Sequence, residues 1–130
     1  MLFYRVEVRP ATNPKMGLGL FTKEFIPKGN MFWKFIEGGD IKISKQKLNQ
    51  LNDAQKEHFY KYAWIEKTEE NFYYMSCDLN NFMNHSYTPN IDGSKKELCS
   101  YALKDIQVGE ELFINYEDFS LDFDKNDVKE

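Results

Sequence analysis

The most informative segment of this chain of 130 residues is NFMNHSYTPN, at positions 81–90. Amide, hydroxyl and imidazole side chains stand there beside the apolar residues Phe82 and Met83. Such a mixture is typical of a half-buried polar network, which destabilises a fold unless its members find hydrogen-bond partners. Two plainer interpretations stay open. The Asn and Ser side chains could tie only their own turn together, and a lone His85 is more often a hydrogen-bonded structural residue than a metal ligand.

Two other segments, one on each side, combine glycine or tyrosine with predicted strands. The first, KMGLGLF at 15–21, has glycines two positions apart, which let the backbone pass close to a ligand or simply turn. It lacks a third glycine, and its β-rich surroundings do not suit a dinucleotide-binding fold. The second, GEELFINY at 109–116, ends in Tyr116. A tyrosine at the end of a strand is usually a core residue whose hydroxyl reaches water.

The rest of the sequence predicts a β-rich domain with little helix. Alternating or aromatic-rich runs predict strands at 3–9, 20–26, 31–36, 71–76, 99–103 and 111–116. Apolar residues three or four positions apart predict helix between Ser44 and Ala63, as one helix or as two with a new start at Asn52-Asp53. Many short strands imply non-local pairing and a mainly β architecture.

The composition predicts a single soluble domain inside the cell. With 42% apolar and 16% aromatic residues, the chain can build its own core. No apolar run approaches the ~20 residues that a membrane span needs. Cys77 and Cys99 make neither a disulfide framework nor a four-thiolate zinc site, which favours a reducing compartment, nucleus or cytoplasm.

The net charge of −4 is concentrated at the C-terminal end. Residues 117–130 contain six acids and two lysines, so residues 1–116 are neutral, with 15 acids and 15 bases. An acidic end of this kind is most often solvated, although it can also attract a basic peptide. Because no basic stripe exists and the pI is about 5.3, we expect no direct binding of nucleic acid.

Taken together, in this order and spacing, the three segments resemble the SET-domain protein lysine methyltransferases. The matching motifs are the glycine loop at 16–21, the Asn-His-Ser…Pro-Asn signature at 82–90 after Asp78, and the closing motif at 102–112 leading into Asn115-Tyr116. The resemblance runs from about Phe3 to Phe119. It implies a SET domain at residues 1–119 and an acidic tail at residues 120–130.

The resemblance implies a fold that is mainly β with short helices, a SET-type β-clip of small sheets with a C-terminal pseudoknot. S-adenosylmethionine would bind on one face, and a substrate lysine would enter a narrow channel from the other. By the same resemblance, Tyr116 is the catalytic residue and Phe35 and Phe119 are candidates for the channel. The implied cofactor-binding residues are Met16, Gly17, Leu18, Gly19, Asn84, His85 and Tyr116.

This chemistry suits the residue types present. Methyl transfer from a sulfonium needs an amine held in line, so positioning supplies much of the rate. The lysine must be neutral, and an aromatic channel beside the positive sulfonium disfavours its ammonium form. Tyr116 would then orient the amine through its hydroxyl. No metal is required, and no protein base is evident in the sequence.

Some positions depart from the family pattern. Asn81 stands where an arginine is common, and Phe35 where many members have a tyrosine. Tyr87 replaces the cysteine that often follows Asn-His-Ser. No Cys-x-Cys cluster follows Tyr116, which excludes a zinc site of the kind that some members carry after the domain. An alternative function is therefore a non-catalytic SET-like module that binds a lysine-containing partner. The presence of both Asn84 and Tyr116 favours the enzyme.

The expected partner is a lysine-bearing protein or peptide, with a histone tail as one candidate because the chain's end is acidic. Small members of the family suggest a further expectation, a homodimer that closes the channel. Phe119, Leu121 and Phe123 could form its contact. Alternatively, the same residues could fold back on their own sheet.

Overall fold

A computed structural model describes residues 1–67, 69–95 and 97–123, and within these ranges short strands predominate. The strands are β1 (Val6–Pro10), β2 (Leu18–Thr22), β3 (Met31–Lys34), β4 (Ile41–Ser44), β5 (Trp64–Ile65), β6 (Phe72–Met75), β7 (Asn84–His85), β8 (Ile91–Asp92), β9 (Cys99–Ala102) and β10 (Glu111–Ile114). The α-helices are α1 (Lys45–Asn49) and α2 (Asp53–Tyr62). Short 3-10 helices cover Pro14–Met16, Leu79–Phe82 and Tyr116–Asp118. The predicted mainly β class with short helices is confirmed.

The closing strand β10 joins the three motif segments into one sheet. That sheet has the order β1-β2-β10-β8-β9-β3, and β7 also pairs with β10. Strand β10 is antiparallel to β2, with Leu112 opposite Leu20, and parallel to β7, with Phe113 opposite Asn84. The closing segment therefore lies against the Asn-His-Ser segment, as the predicted pseudoknot requires.

Asn90 holds this crossing together. Its side chain is 6% exposed; its Nδ2 donates to the Glu111 carbonyl and its Oδ1 accepts from the Phe113 amide, each at 2.8 Å. Because the nitrogen and the oxygen of the Asn90 side-chain amide both bond to β10, the predicted polar network reaches beyond its own turn. The local interpretation holds for Ser86, whose hydroxyl oxygen accepts from the Thr88 amide at 3.0 Å.

The smaller sheet has the order β4-β6-β5, with β4 before the two helices in the chain and β5 and β6 after them. Ser44 caps α1, and Asn52 caps α2 in a reciprocal capping box with Gln55. The alternative of two helices with a new start near Asn52 is thus confirmed. Strands β4, β5, β7 and β8 were not predicted, and β5, β7 and β8 have only two residues each.

Four of the predicted strands are shorter in the structure and lie within their predicted ranges, and the other two are displaced along the chain. The strand predicted at 3–9 covers Val6–Pro10, and the strand predicted at 20–26 covers Leu18–Thr22. The second strand ends early because Thr22 Oγ1 donates to the Glu24 carbonyl and accepts from the Glu24 amide, which forms a tight turn. Ile26 keeps only an isolated bridge to Ile106.

The core lies between the larger sheet and the segments that cross it. Its fully buried apolar side chains are Leu20, Ile26, Phe32, Ile91, Ile106 and Leu112. Among the described residues, no helix has the length and apolar character to cross a bilayer.

Candidate active site

A cavity of about 690 Å³ lies where the glycine loop, β7 and the end of β10 meet. Six of the predicted site residues are in its wall: Met16, Leu18, Asn84, His85, Tyr116 and Phe119. Three segments distant in the sequence are therefore brought together around one space. The parallel pairing of β10 with β7 is what aligns Tyr116 with Asn84 and His85.

Tyr116 is held at both its backbone and its side chain. Its amide donates to His85 Nδ1 at 3.0 Å, and its hydroxyl donates to the Met83 carbonyl at 2.5 Å. Burial of the phenol raises the pKa of Tyr116 to about 12, so the hydroxyl stays protonated at neutral pH. Because its proton is engaged by Met83, the oxygen is left as an acceptor toward groups in the cavity.

His85 is a buried structural partner of Tyr116. Its Nδ1 is an acceptor, and its ring lies 5.3 Å from the Tyr116 ring and 4.5 Å from the Tyr87 ring. These contacts agree with the interpretation of His85 as a hydrogen-bonded residue. The contact of its main chain with a cofactor, which the resemblance implied, stays a prediction.

Asn84 ties the glycine loop to β7. Its Nδ2 donates to the Leu18 carbonyl at 2.9 Å, and its side chain is half-buried in the cavity wall. The amide therefore sets the distance between two segments that the resemblance assigns to cofactor binding.

The two glycines of the loop have structural reasons to lack side chains. Gly17 has φ +71°, a left-handed conformation that L side chains rarely adopt. A Cβ on Gly19 would lie 2.5 Å from Glu111 Oε2, whose partner oxygen accepts from the Thr12 amide. Met16 and Leu18 line the cavity, whereas neither glycine is among its lining residues.

Aromatic side chains form another part of the cavity wall. Trp64 packs edge-on against Phe119 with ring centroids 5.5 Å apart, and Phe119 lies 6.0 Å from Tyr116. Phe35, the other predicted channel residue, is not among the lining residues and packs edge-on against Tyr74 at 5.5 Å. Phe119 thus meets the geometric condition for a channel residue, and the role of Phe35 stays a prediction.

The departures from the family pattern have local partners. Asn81 Nδ2 donates to the Ser76 carbonyl at 2.9 Å, and the exposed Tyr87 donates through its hydroxyl to Glu117 Oε1 at 3.4 Å. Cys77 is exposed and Cys99 is buried, and both are free thiols. Within the described ranges, no three His, Cys, Asp or Glu residues cluster as metal ligands.

The chain after Phe119 folds back over the cavity. Phe123 lies 4.8 Å from the His85 ring and 5.8 Å from the Tyr116 ring, and the Leu121 amide donates to the Ile65 carbonyl at 2.8 Å. The fold-back alternative therefore describes Phe119 and Phe123, while the Leu121 side chain is exposed. The remainder of the predicted tail, residues 124–130, lies outside the described residues.

Glu66 lines the same cavity, and the sequence motifs did not point to it. It is only 5% exposed, and its Oε2 accepts from Trp64 Nε1 at 3.0 Å. Burial raises the pKa of Glu66, and the charge of Glu69 adds to this effect, while the Trp64 hydrogen bond and Lys67 oppose it. In the sequence, Glu66 stands in a charged run that is typical of a solvated surface.

Sequence comparison links the chain to a known family. The SET domain family model matches residues 17–117. A mouse protein named histone-lysine N-methyltransferase SETMAR is 33% identical over 119 residues, which cover 78% of this chain and 37% of that protein. Its rat counterpart is 32% identical over 119 residues, with 78% and 36% covered. The chain thus spans just over a third of the length of these relatives.

Solved structures with a similar fold come from polycomb repressive complexes. A complex described as ctPRC2 in an autoinhibited conformation bound to S-adenosylmethionine aligns with a TM-score of 0.67 and 24% identity, over 92% of this chain and 16% of that one. A humanized mutant of the Chaetomium thermophilum complex, bound to the inhibitor GSK126, aligns with a TM-score of 0.66 and 25% identity, with the same coverage. The likeness to the first structure concerns the fold.

Proposed function

This chain belongs to the SET-domain family, and on that premise we propose that it transfers a methyl group from S-adenosylmethionine to the side-chain amine of a protein lysine. The observation that carries the proposal is the meeting of Leu18, Asn84 and Tyr116 around one cavity. The family's glycine loop, Asn-His-Ser and closing motifs contribute one residue each to this group.

The residues present fit the cofactor. The cavity of about 690 Å³ is within the usual range for sites that hold a ligand of this size. Asn84 and the backbone from Met16 to Leu18 would hold its amino-acid end, and the main chain at His85 its adenine. When bound, S-adenosylmethionine supplies the activated methyl group.

The chain's own residues position the acceptor amine. The Tyr116 oxygen accepts a hydrogen bond from the amine, because its own proton is engaged by the Met83 carbonyl. This contact orients the nitrogen lone pair toward the methyl group. Phe119 and Trp64 exclude water from the amine, which disfavours the ammonium form that cannot react.

The proposed substrate is a lysine-bearing segment of a basic protein, with a histone tail as one candidate. The mouse relative bears the name of a histone-lysine methyltransferase. Near the cavity, Glu117, Asp118 and Asp122 add negative charge, which would attract a basic peptide.

The proposed cofactor site is tested by calorimetric titration of S-adenosylmethionine and of its demethylated product into the parent protein and Asn84→Ala. We expect saturable binding that the substitution weakens about tenfold or more, since truncation leaves the partners of a polar site unpaired. The matched control is Asn30→Ala, which removes a hydrogen bond to the Tyr4 hydroxyl outside the cavity wall. Equal affinity in Asn84→Ala and the parent would contradict the assignment of Asn84.

Transfer itself is tested with labelled S-adenosylmethionine and a mixture of histones and lysine peptides. Label on lysine that disappears in Tyr116→Phe is the expected result. Cofactor binding without any transfer, in the presence of lysine peptides that do bind, would instead favour the non-catalytic module.

The finer expectations are part of the proposal. A homodimer is supported by the exposure of Leu121 beside the cavity and is measured by light scattering of the purified protein. The span of the motifs supports a SET domain at residues 1–119 followed by an acidic tail at residues 120–130. The cysteine usage supports an intracellular location.

A further inference from the structure

Glu66 brings a buried carboxylate into the cavity wall, whose other charged residues in the described ranges are the exposed Lys61, Lys95 and Asp122. It follows directly after β5, and its backbone forms an isolated bridge with Ser120 in the segment that folds back over the site. The glutamate is thus held between the aromatic wall and the returning chain. Its side chain shares the cavity wall with Trp64, Phe119 and Tyr116.

The surroundings of Glu66 leave its negative charge poorly balanced. Its carboxylate has one hydrogen bond, from the neutral indole of Trp64, and no salt bridge among the residues that the structure describes. A buried carboxylate costs stability unless a cation or several donors pair with it. Lys67 is exposed, and Glu69 adds a second negative charge nearby.

A lysine entering the cavity has the complementary problem. Its ammonium must leave water, which is unfavourable if nothing in the site compensates. A carboxylate already present in the wall offsets that cost for a cation and gives no such gain to an uncharged chain of the same shape. We propose that Glu66 is a substrate-recognition residue, whose carboxylate pairs with the ammonium group of the incoming lysine.

This role rests on the proposed function, but it concerns binding of the cation and not the transfer step. The aromatic wall by itself would accept any long apolar side chain. Glu66 makes the site selective for a positively charged one. The ammonium then releases its proton to solvent water, and the neutral amine passes to Tyr116.

The experiment measures how strongly the protein distinguishes a charged from an uncharged side chain. A short glycine-flanked peptide with a single lysine and its norleucine counterpart are titrated by calorimetry in the presence of S-adenosylhomocysteine. The parent should prefer the lysine peptide, and Glu66→Gln should lose at least about tenfold of that preference. Glutamine keeps the size of the side chain and an oxygen that can accept from Trp64.

The control is Glu70→Gln. Glu70 is exposed and lies outside the cavity wall, and its substitution removes the same charge as Glu66→Gln. It should leave the preference for lysine unchanged, and all variants should bind S-adenosylhomocysteine like the parent. Loss of preference in both variants would mean a general charge effect and would overturn the role of Glu66.

The result also separates this role from the proposed function. Preference for lysine that depends on Glu66, without methyl transfer to any peptide, would keep the recognition role and refute the enzyme. If the parent transfers methyl groups and Glu66→Gln still prefers the lysine peptide, the proposed enzyme function stands and the recognition role of Glu66 is refuted. A parent protein that binds both peptides equally, or neither, would also refute it.

Discussion

Replacing Tyr116 by phenylalanine removes one hydroxyl that has two separate functions in the structure. The first is structural, because the hydroxyl donates to the Met83 carbonyl at 2.5 Å. Losing a hydrogen bond of this kind costs about 1–3 kcal/mol when the acceptor stays buried. Because Met83 is itself buried, we expect a loss of about 1 kcal/mol or more.

The second function is the hydrogen bond that the Tyr116 oxygen accepts from the substrate amine. A hydrogen bond to a charged or strongly polarised group contributes about 1.5–3 kcal/mol, which corresponds to roughly 10–100-fold in rate. We therefore expect Tyr116→Phe to keep its fold, to lose about 1 kcal/mol or more of unfolding free energy, and to lose at least tenfold in methyl transfer.

The assay pairs urea denaturation with transfer of labelled methyl groups at saturating S-adenosylmethionine. Tyr74→Phe is the matched control, because the Tyr74 hydroxyl is also buried but has no hydrogen-bond partner among the described residues. That variant should be neutral or slightly more stable than the parent, since it removes an unpaired polar group. Its transfer rate should be unchanged.

Two outcomes would refute the reasoning about Tyr116. Unchanged transfer in Tyr116→Phe would mean that the hydroxyl does not act on the amine. A loss of transfer that is equally large in Tyr74→Phe would mean that any change in the aromatic packing lowers the rate, with no specific role for the hydroxyl.

Three other predictions concern stability, measured by thermal unfolding. Because the pKa of Glu66 is raised, the folded state loses stability as the pH rises from the unfolded value of 4.5 through the folded pKa. At pH 8, Glu66→Gln should therefore unfold at a higher temperature than the parent. Near pH 4 this difference should disappear. The raised pKa of Tyr116 has the same effect, so the parent should lose stability between about pH 10 and 12, and Tyr116→Phe should not show this loss. Gly19→Ala should cost about 1–3 kcal/mol through its contact with Glu111, and an unchanged unfolding temperature would contradict the contact.

The residues that could be predicted from the sequence are those whose chemistry is unusual for their position. Asn84 and Asn90 are amides among apolar neighbours, and such groups must find partners within the fold. The structure supplies these partners: Leu18 for Asn84 and the backbone of β10 for Asn90. The resemblance to the SET-domain family, carried by the order and spacing of the motifs, then implied that Tyr116 lies in the same site.

The elements that could not be predicted depend on long-range contacts. Strands β5 and β8 are two residues long, too short for any periodicity to be visible. Glu66 is buried where the chain around Ser120 returns and forms a bridge with it, although its sequence neighbours are charged. Thr22 ends β2 through a hydroxyl turn that the apolar pattern up to Ile26 conceals.

Asn90 is needed for the fold of the site, whereas Tyr116 and Glu66 are needed for its chemistry. The parallel pairing of β10 with β7 and β8 involves very few residues, so it needs additional hydrogen bonds to hold its register. Asn90 supplies two of them from a buried position, and its loss would release β10 and with it Tyr116. Tyr116 and Glu66, in contrast, lie at the end of β10 and just after β5, outside the paired strand residues. Their side-chain chemistry can therefore be changed while the crossing that positions them stays intact.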